Sequence, residues 1–310
     1  MMIRSCFSLL LGAIAFLAGG CTDQLVFVRD DGGVRKIFRM DSDGGAQQRI
    51  SPAGATTHMY PDVSPDGQKI AYTDGIRVFI SNLGDIGGSS QVQLSTGTGT
   101  KTWLRWSPDQ QVIAYTQFIS GTQAGIWLAA TSGVNSLQVT FPTGSQSDGG
   151  GHDFYLGPGN VQNLVYSRSG TLYTMFYNGT QPATPITSSG TATNTHTLPV
   201  VSHDNKLLAY RLAYMLASVG TIDAIQVVEV GTWAPRFAVI LPSPQVRQGS
   251  ISAIAFSCDD QRLYVTVETA AGAGDRHEVY SVKLDGGDLR QLTSNAVFDS
   301  QPSAISQPCS

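Results

Sequence analysis

The sequence predicts an all-β fold, a six-bladed β-propeller of four-stranded antiparallel blades. Three observations carry this prediction. A turn motif with a serine and an aspartate, followed by an apolar strand, recurs along the chain. A second strand pattern recurs between these turns, and a segment near the C-terminus supplies a strand that the first unit lacks. Repeats of about 40 to 50 residues with several short strands each are typical of propellers.

The turn motif is clearest at residues 63–72, which read VSPDGQKIAY. Pro65 fixes φ at the second position of a type I turn, and Asp66 can bond to its own backbone. Gly67 supplies the positive φ that closes a hairpin. The apolar strand follows at residues 70–72. Equivalent hairpins start at Ser107, Gly157, Ser202 and Ser257, in steps of 43, 50, 45 and 55 residues from Ser64 onwards.

The second recurring pattern is a strand in which apolar and polar residues alternate, as in half-buried strands. Residues 36–45 (KIFRMDSDGG) are matched by residues 278–287 (EVYSVKLDGG), and four weaker copies lie between them. Only five complete first strands precede these six copies. Residues 298–306 resemble residues 57–64. We therefore expect the C-terminal segment to complete the N-terminal blade and to leave no open sheet edge.

These motifs resemble the repeats of the TolB-like six-bladed propellers. The resemblance covers nearly all of the chain from residue 21 to residue 310, which we predict to be one propeller domain without a second domain. It implies an interaction scaffold in the bacterial periplasm. TolB itself carries an α/β domain before its propeller, and this sequence has no counterpart, so roles that depend on that domain are not carried over.

Residues 1–20 are predicted to be a lipoprotein signal peptide. Arg4 precedes an apolar stretch at residues 7–17, which is too short to span a bilayer. Residues 17–21 (LAGGC) resemble a bacterial lipobox, which implies cleavage before Cys21 and acylation of that cysteine. An ordinary secretory peptide or a short uncleaved anchor is the alternative. Thr22 replaces the aspartate used for inner-membrane retention, which favours the outer membrane, facing the periplasm.

The charge of the chain argues against a nucleic-acid partner. The formal net charge is −4, and only 14% of the residues are charged, so the chain lacks the basic character of a nucleic-acid-binding protein.

Two cysteines follow Cys21, and an exported protein lies in a compartment that permits disulfides. Cys258 and Cys309 both come just after first strands of neighbouring blades. We expect them to form a disulfide, with two free thiols as the alternative.

The sequence contains no nucleophile elbow, phosphate-binding loop or zinc motif, so no catalytic residue and no cofactor is predicted. Four histidines are expected on one rim of the central channel: His58, His152, His196 and His277. Imidazole binds transition metals, and the oligogalacturonate lyases are similar propellers that use channel histidines for a divalent metal. Lys101 shares the predicted ring and would repel a cation. We therefore do not expect a metal site.

The same rim is expected to carry aromatic side chains that could bind a partner, namely Tyr60, Trp103, Phe154, Tyr155 and Phe298. Aromatic residues are enriched in interfaces, and packing at the blade ends is the alternative. Strand direction places the N-terminus on the face of the hairpin turns, so this rim would point away from the membrane.

The predicted function is a non-catalytic, lipid-anchored scaffold for an envelope protein or peptide. The alternative is a metal-dependent lyase that acts on an acidic polysaccharide.

Overall fold

The computed structural model describes residues 23–133, 135–188, 190, 194–216, 220–241, 251–268, 276–295 and 297–305. Within these ranges, 24 strands form six four-stranded antiparallel sheets, which confirms the predicted six-bladed propeller. The predicted signal peptide, Cys21 and Cys309 lie outside the described residues. Within the described part of the chain, no helix has the length and apolar character needed to cross a membrane.

The strands follow the chain in regular groups, and within each blade we number them from the channel outwards. Blade 1 contains β1 (Gln24–Asp30), β2 (Arg35–Asp41) and β3 (Gln48–Arg49) as its second to fourth strands. Blade 2 contains β4 (Met59–Val63), β5 (Lys69–Thr73), β6 (Val78–Asn82) and β7 (Val92–Gln93). Blade 3 contains β8 (Lys101–Trp106), β9 (Val112–Ser120), β10 (Gln123–Ala130) and β11 (Ser136–Gln138).

The second half of the ring repeats this order. Blade 4 contains β12 (His152–Leu156), a 3-10 helix (Pro158–Asn160), β13 (Gln162–Arg168), β14 (Thr171–Phe176) and β15 (Thr184–Pro185). Blade 5 contains β16 (Asn194–Val201), β17 (Leu207–Leu216), β18 (Gly220–Glu229) and β19 (Pro235–Val239). Blade 6 contains β20 (Ile251–Phe256), β21 (Arg262–Glu268), β22 (His277–Lys283) and β23 (Arg290–Gln291).

The ring closes through the last strand, β24 (Asp299–Ile305), which pairs antiparallel with β1 and becomes the first strand of blade 1. The predicted closure is therefore confirmed. Arg29 on β1 donates two hydrogen bonds of 2.7 Å to the carboxylate of Asp299 on β24. The Asp299 side chain is fully buried. Two ends of the chain are thus joined by a backbone ladder and by a bidentate ion pair.

The hairpin turns follow the chemistry that the sequence predicts. Ser64 Oγ donates to Asp66 Oδ1 at 2.6 Å and accepts from the backbone N–H of Lys69 at 2.9 Å. Gly67 has a φ of 70°. The serine–aspartate bond recurs in blades 3, 5 and 6 as Ser107–Asp109, Ser202–Asp204 and Ser257–Asp259. Each serine satisfies a backbone donor inside its own turn, so the motif is structural.

The core is divided into six apolar clusters, one at each interface between neighbouring blades. Tyr72, Tyr115 and Tyr166 lie at equivalent positions of second strands and are almost completely buried in these clusters. Because every cluster draws residues from two blades, burial of apolar surface favours the closed ring over separate sheets.

The first strands bend as they pass the channel. Their register shifts beside Tyr60, Trp103, Leu198 and Gln301, each of which has a φ between 51° and 56°. A β-bulge adds a residue on one side of a ladder and redirects the side chains that follow it. The bulges therefore decide which residues near the turns point into the channel.

Candidate functional site

A cavity of about 390 Å³ lies at the centre of the ring, and the first strands of all six blades contribute to its lining. One position in each first strand provides a residue that lines the cavity, and the six residues together form a ring. In blades 2, 3, 5 and 6 this position lies two residues before the turn serine. In blade order from 1 to 6, this channel ring is Ser303, Asp62, Arg105, Asp153, Val200 and Ala255. A volume of this size is at the small end of ligand pockets.

The cavity opens on the face formed by the hairpin turns between first and second strands, which we call the turn face. Its mouth is lined by the residue that follows the turn serine in four blades: Pro65, Pro108, His203 and Cys258. Trp106, Phe154 and Phe256 form apolar walls beneath this mouth. The cavity therefore combines an apolar surface with a small number of charged groups.

Three of those charged groups lie side by side in the channel ring. Arg105 Nη1 is 3.5 Å from Asp62 Oδ1, and Arg105 Nε is 3.9 Å from Asp153 Oδ1. The side chains of all three are about 15% exposed: 16% for Arg105, 15% for Asp62 and 13% for Asp153. Direct hydrogen bonds between nitrogen and oxygen are 2.7–3.2 Å long, so these contacts are ion pairs without a close hydrogen bond.

The two aspartates have their hydrogen-bond partners elsewhere in the protein. Asp62 Oδ2 accepts from the backbone N–H of Trp106 at 2.8 Å, and Asp153 Oδ2 accepts from that of Val201 at 2.8 Å. In both cases the donor lies on the first strand of the next blade. Each carboxylate thus links the first strands of two neighbouring blades, so its position in the channel helps to hold the ring of blades together.

Burial and neighbouring charges shift the protonation of the cavity groups. Burial raises the pKa of Asp62 to about 6, although Arg105 opposes the shift. Burial raises the pKa of Asp153 in the same way. Burial lowers the pKa of His203, but a 2.8 Å contact with Asp260 outweighs that effect and raises it overall. Burial, with Asp23 nearby, raises the pKa of the Cys258 thiol to about 12.

The described chain begins on the turn face. The Tyr264 hydroxyl donates a hydrogen bond to Asp23 Oδ2 at 2.9 Å. The Cys258 side chain at the cavity mouth lies within hydrogen-bonding distance of Asp23. This is the face on which strand direction places the N-terminus. Cys258 is in no disulfide within the described residues, and Cys309 lies outside them, so the expected disulfide stays a prediction.

The aromatic residues of the predicted rim lie in separate places. Tyr60 and Trp103 are half-buried neighbours with ring centroids 5.2 Å apart. Phe154 is buried and lines the cavity, and Tyr155 packs edge-on against Trp233 between blades 4 and 5. Phe298 is partly buried beside His277 and the guanidinium of Arg35. A shared binding role for these five residues stays a prediction.

The four histidines of the predicted rim belong to four different blades. His58 is 5% exposed, packs on Tyr72, and has a pKa lowered to about 4 by burial. His152 is 1% exposed, and burial lowers its pKa to about 3. His196 Nδ1 is 3.0 Å from the Gly170 carbonyl. Across the described ranges, no three His, Cys, Asp or Glu side chains are grouped so as to hold a metal ion.

The charged part of the channel ring was not predicted from the sequence. Sequence repeats reveal the residues that all blades share. Asp62, Arg105 and Asp153 occupy a position where the residue type differs from blade to blade. A usable signal was present, because each of the three is a charged residue directly before an apolar residue of a first strand. Burying a charge is costly unless it is paired, so such residues indicate either an ion pair or a site.

The fold and the cavity define a class, a six-bladed propeller with a central pocket on its turn face. No protein-family model matches the sequence, and no curated protein matches it. Solved structures do match. TolB from Acinetobacter baumannii superposes with a TM-score of 0.69 and 16% identity over 92% of this chain and 67% of that chain. A putative TolB from Agrobacterium tumefaciens gives 0.61 and 14%, over 90% and 91% of the two chains.

Two further matches broaden the comparison. A chain from a nidogen/laminin complex has a TM-score of 0.60 and 14% identity, over 92% of this chain and 99% of that chain. An oligogalacturonate lyase in complex with manganese has a TM-score of 0.56 and 11% identity, over 86% and 73%. At these identities the comparisons establish the fold: this chain has a six-bladed propeller fold like that of TolB.

Proposed function

We propose that this protein is a non-catalytic propeller that binds another protein of the bacterial cell envelope at its central cavity. The observation that carries the proposal is the cavity itself, about 390 Å³ in volume, open on the turn face, with aromatic walls around a buried guanidinium. Aromatic residues and arginine are the side chains that contribute most to protein interfaces. Its position on the ring axis lets all six blades contribute to one contact.

The structural comparisons support a binding role without assigning one. Two of the matched structures are a TolB and a putative TolB, and a third chain comes from a complex of two proteins, nidogen and laminin. Since a fold does not determine function, the cavity has to carry the argument. We therefore place the binding surface on the turn face, and we treat the opposite face of the ring as the competing surface.

Lipid anchoring at Cys21 is the second part of the proposal. Asp23 lies two residues later, beside the cavity mouth. An acylated Cys21 would hold the turn face close to the membrane, facing the periplasm, and the partner would then approach from the membrane side. Changing Cys21→Ser should release the protein from the membrane fraction. Equal membrane association of both forms would argue against the anchor and would leave cavity binding to be tested separately.

The binding role is tested by co-purification from envelope extracts with the cavity mouth altered. Pro65→Lys/Pro108→Lys changes two exposed positions that tolerate most residues, as His203 and Cys258 at the same turn position illustrate. We expect loss of a stoichiometric partner. Ile76→Lys, on an exposed loop of the opposite face, is the matched control and should retain it. Retention by both variants would contradict the proposal.

The fold likeness to an oligogalacturonate lyase bound to manganese carries the alternative, a metal-dependent lyase. Such an enzyme would need convergent ligands, whereas His58 and His196 lie in blades 2 and 5 and pack against tyrosines of their own blades. Metal content of the tag-free protein separates the two functions. Near-stoichiometric metal in the wild type that is lost in His58→Ala/His196→Ala would favour the lyase.

A further inference from the structure

The guanidinium of Arg105 is the polar group of the cavity with open hydrogen-bond capacity. Within the described part of the chain, its one hydrogen bond is from Nη1 to the Leu104 carbonyl at 3.0 Å. Nε and Nη2 donate to no described residue, because the nearest carboxylate oxygens are 3.5 and 3.9 Å from the guanidinium. The Arg105 side chain is nevertheless only 16% exposed, and it lines the cavity.

The other polar residues of the lining already have partners within the chain. Asn205 donates to the Leu156 carbonyl and accepts from the Leu156 N–H, both at 2.7 Å. Ser202 donates to Asp204 at 2.8 Å, and His203 contacts Asp260. Beside the carboxylates of Asp62 and Asp153, the cavity therefore offers a ligand the forked donor of Arg105 and a surrounding apolar wall.

Planar guanidinium donors match the two oxygens of a carboxylate, and such bidentate pairs are stronger than neutral hydrogen bonds. Building on the proposed function, we infer that Arg105 receives the carboxylate of an aspartate or glutamate side chain at the tip of a loop of the partner protein. The flanking Asp62 and Asp153 are ion-pair partners of Arg105 at 3.5 and 3.9 Å, but neither makes a close hydrogen bond with it. Their oxygens accept hydrogen bonds from backbone N–H groups and from Ser303 instead, so the forked donors of Arg105 stay available.

The walls favour a protein loop over an acidic sugar. Trp106, Phe154 and Phe256 present apolar surface next to the guanidinium. A sugar acid carries several hydroxyl groups that would need hydrogen-bond partners, and burying them without partners is unfavourable. A loop tip with one acidic side chain and small or apolar neighbours matches both the charge and the walls.

The test is an NMR titration of the purified full chain labelled with ¹⁵N at arginine, observing the Nε–Hε signals. The probes are acetyl-Gly-Glu-Gly-amide and its neutral isostere acetyl-Gly-Gln-Gly-amide. We expect the Arg105 signal to shift saturably with the glutamate peptide, and the glutamine peptide to bind at least tenfold more weakly. The Arg29 signal is the internal control, because that guanidinium is already paired with Asp299.

Variants and competing probes complete the experiment. Arg105→Lys assigns the signal by its loss, and Arg105→Gln should reduce the preference for glutamate to less than twofold. Equal binding of both peptides to the wild type would overturn the inference. Tighter binding of acetyl-Gly-Gly-Gly with a free carboxyl terminus, or of galacturonate, would overturn the choice of an acidic loop. In each case a partner lost in Pro65→Lys/Pro108→Lys would still support the proposed function.

Discussion

The carboxylate of Asp62 accepts a hydrogen bond from the backbone N–H of Trp106 on the first strand of the next blade, at 2.8 Å. Asp153 makes the equivalent contact to Val201. Two blade junctions are thereby fixed by carboxylates placed in the channel. Such a position disfavours the charged form, and burial raises the pKa of Asp62 to about 6.

This shift gives the stability of the protein a defined pH dependence. An unfolded aspartate has a pKa near 3.9, so folding favours protonated Asp62, and its contribution to stability is lost as the pH rises through 6. Arg105 and the Trp106 N–H oppose this effect, whereas Asp153 reinforces it. Between pH 4 and 7, the wild type should lose about 2 kcal/mol of unfolding free energy relative to Asp62→Asn.

Urea unfolding at several pH values measures this difference. Asp66→Asn is a contrasting variant, because hydrogen bonds from Ser64 and the backbone lower the pKa of Asp66. Stability from Asp66 is present above its unfolded pKa and is lost as the pH falls, so the sign of its pH dependence is opposite. A wild-type advantage over Asp62→Asn that grows between pH 4 and 7 would contradict the assigned shift.

A second prediction concerns a hydroxyl that follows the outermost strand of each of five blades. In blade 2, Ser95 Oγ accepts from the backbone N–H of Val78 at 2.8 Å, and both residues are fully buried. Equivalent bonds join Ile37–Ser51, Ile126–Thr140, Leu172–Thr187 and Val279–Thr293. Ser95→Ala leaves a buried donor unpaired and should cost about 2 kcal/mol of unfolding free energy.

Ser95→Thr is the matched control, since threonine fills the same position in three other blades. Chemical denaturation of the two variants and the wild type provides the measurement. We expect the threonine variant to be clearly more stable than the alanine variant. Equal midpoints for both would mean that the hydroxyl contributes nothing measurable.

The third prediction tests ring closure. Arg29→Met leaves the buried carboxylate of Asp299 with Asn295 as its remaining side-chain partner, so we expect a loss of about 3 kcal/mol of unfolding free energy. Arg77→Met is the comparison. Arg77 pairs with Asp74 at 2.6 Å, but its side chain is 51% exposed, and its loss should cost about 1 kcal/mol or less. Similar costs for the two variants would argue against a special contribution of the closing pair.

The fourth prediction concerns the two cysteines that follow residue 21. We expect a Cys258–Cys309 disulfide that fixes the C-terminal strand. Titration of thiols in the unfolded, non-reduced protein should find neither of them free, and two free thiols would contradict the pairing. In the folded, reduced protein the raised pKa of Cys258 predicts slow alkylation at pH 8, because the thiolate is the reactive form.

The repeats were sufficient to predict the blades and the closure, because turn chemistry and strand alternation act locally and recur. Gln110, Asn205 and Asp260 have positive φ where blade 2 has Gly67, which explains how the turn persists without glycine. The hydroxyl after the outermost strand was missed, although an apolar residue followed by Ser or Thr recurs there, as at residues 94–95 and 292–293.

The cavity was not predictable in the same way. Which residues face the channel depends on the bulges beside Tyr60 and Trp103, and a bulge moves the following side chains relative to simple alternation. In blade 4 the first hairpin is longer, so Phe154 pairs with Leu164 as Val63 does with Ile70. Alignment of the turns alone therefore placed Phe154 at the opposite end of the channel.

The central claim is that the partner binds on the turn face. The most direct measurement is photo-crosslinking in cells that express the full chain with benzoylphenylalanine at Pro108, compared with the same label at Ile76 on the opposite face. Both positions are exposed. We expect one crosslinked protein from Pro108 and none from Ile76. Crosslinking from Ile76 alone would contradict it and would identify the opposite rim as the binding surface.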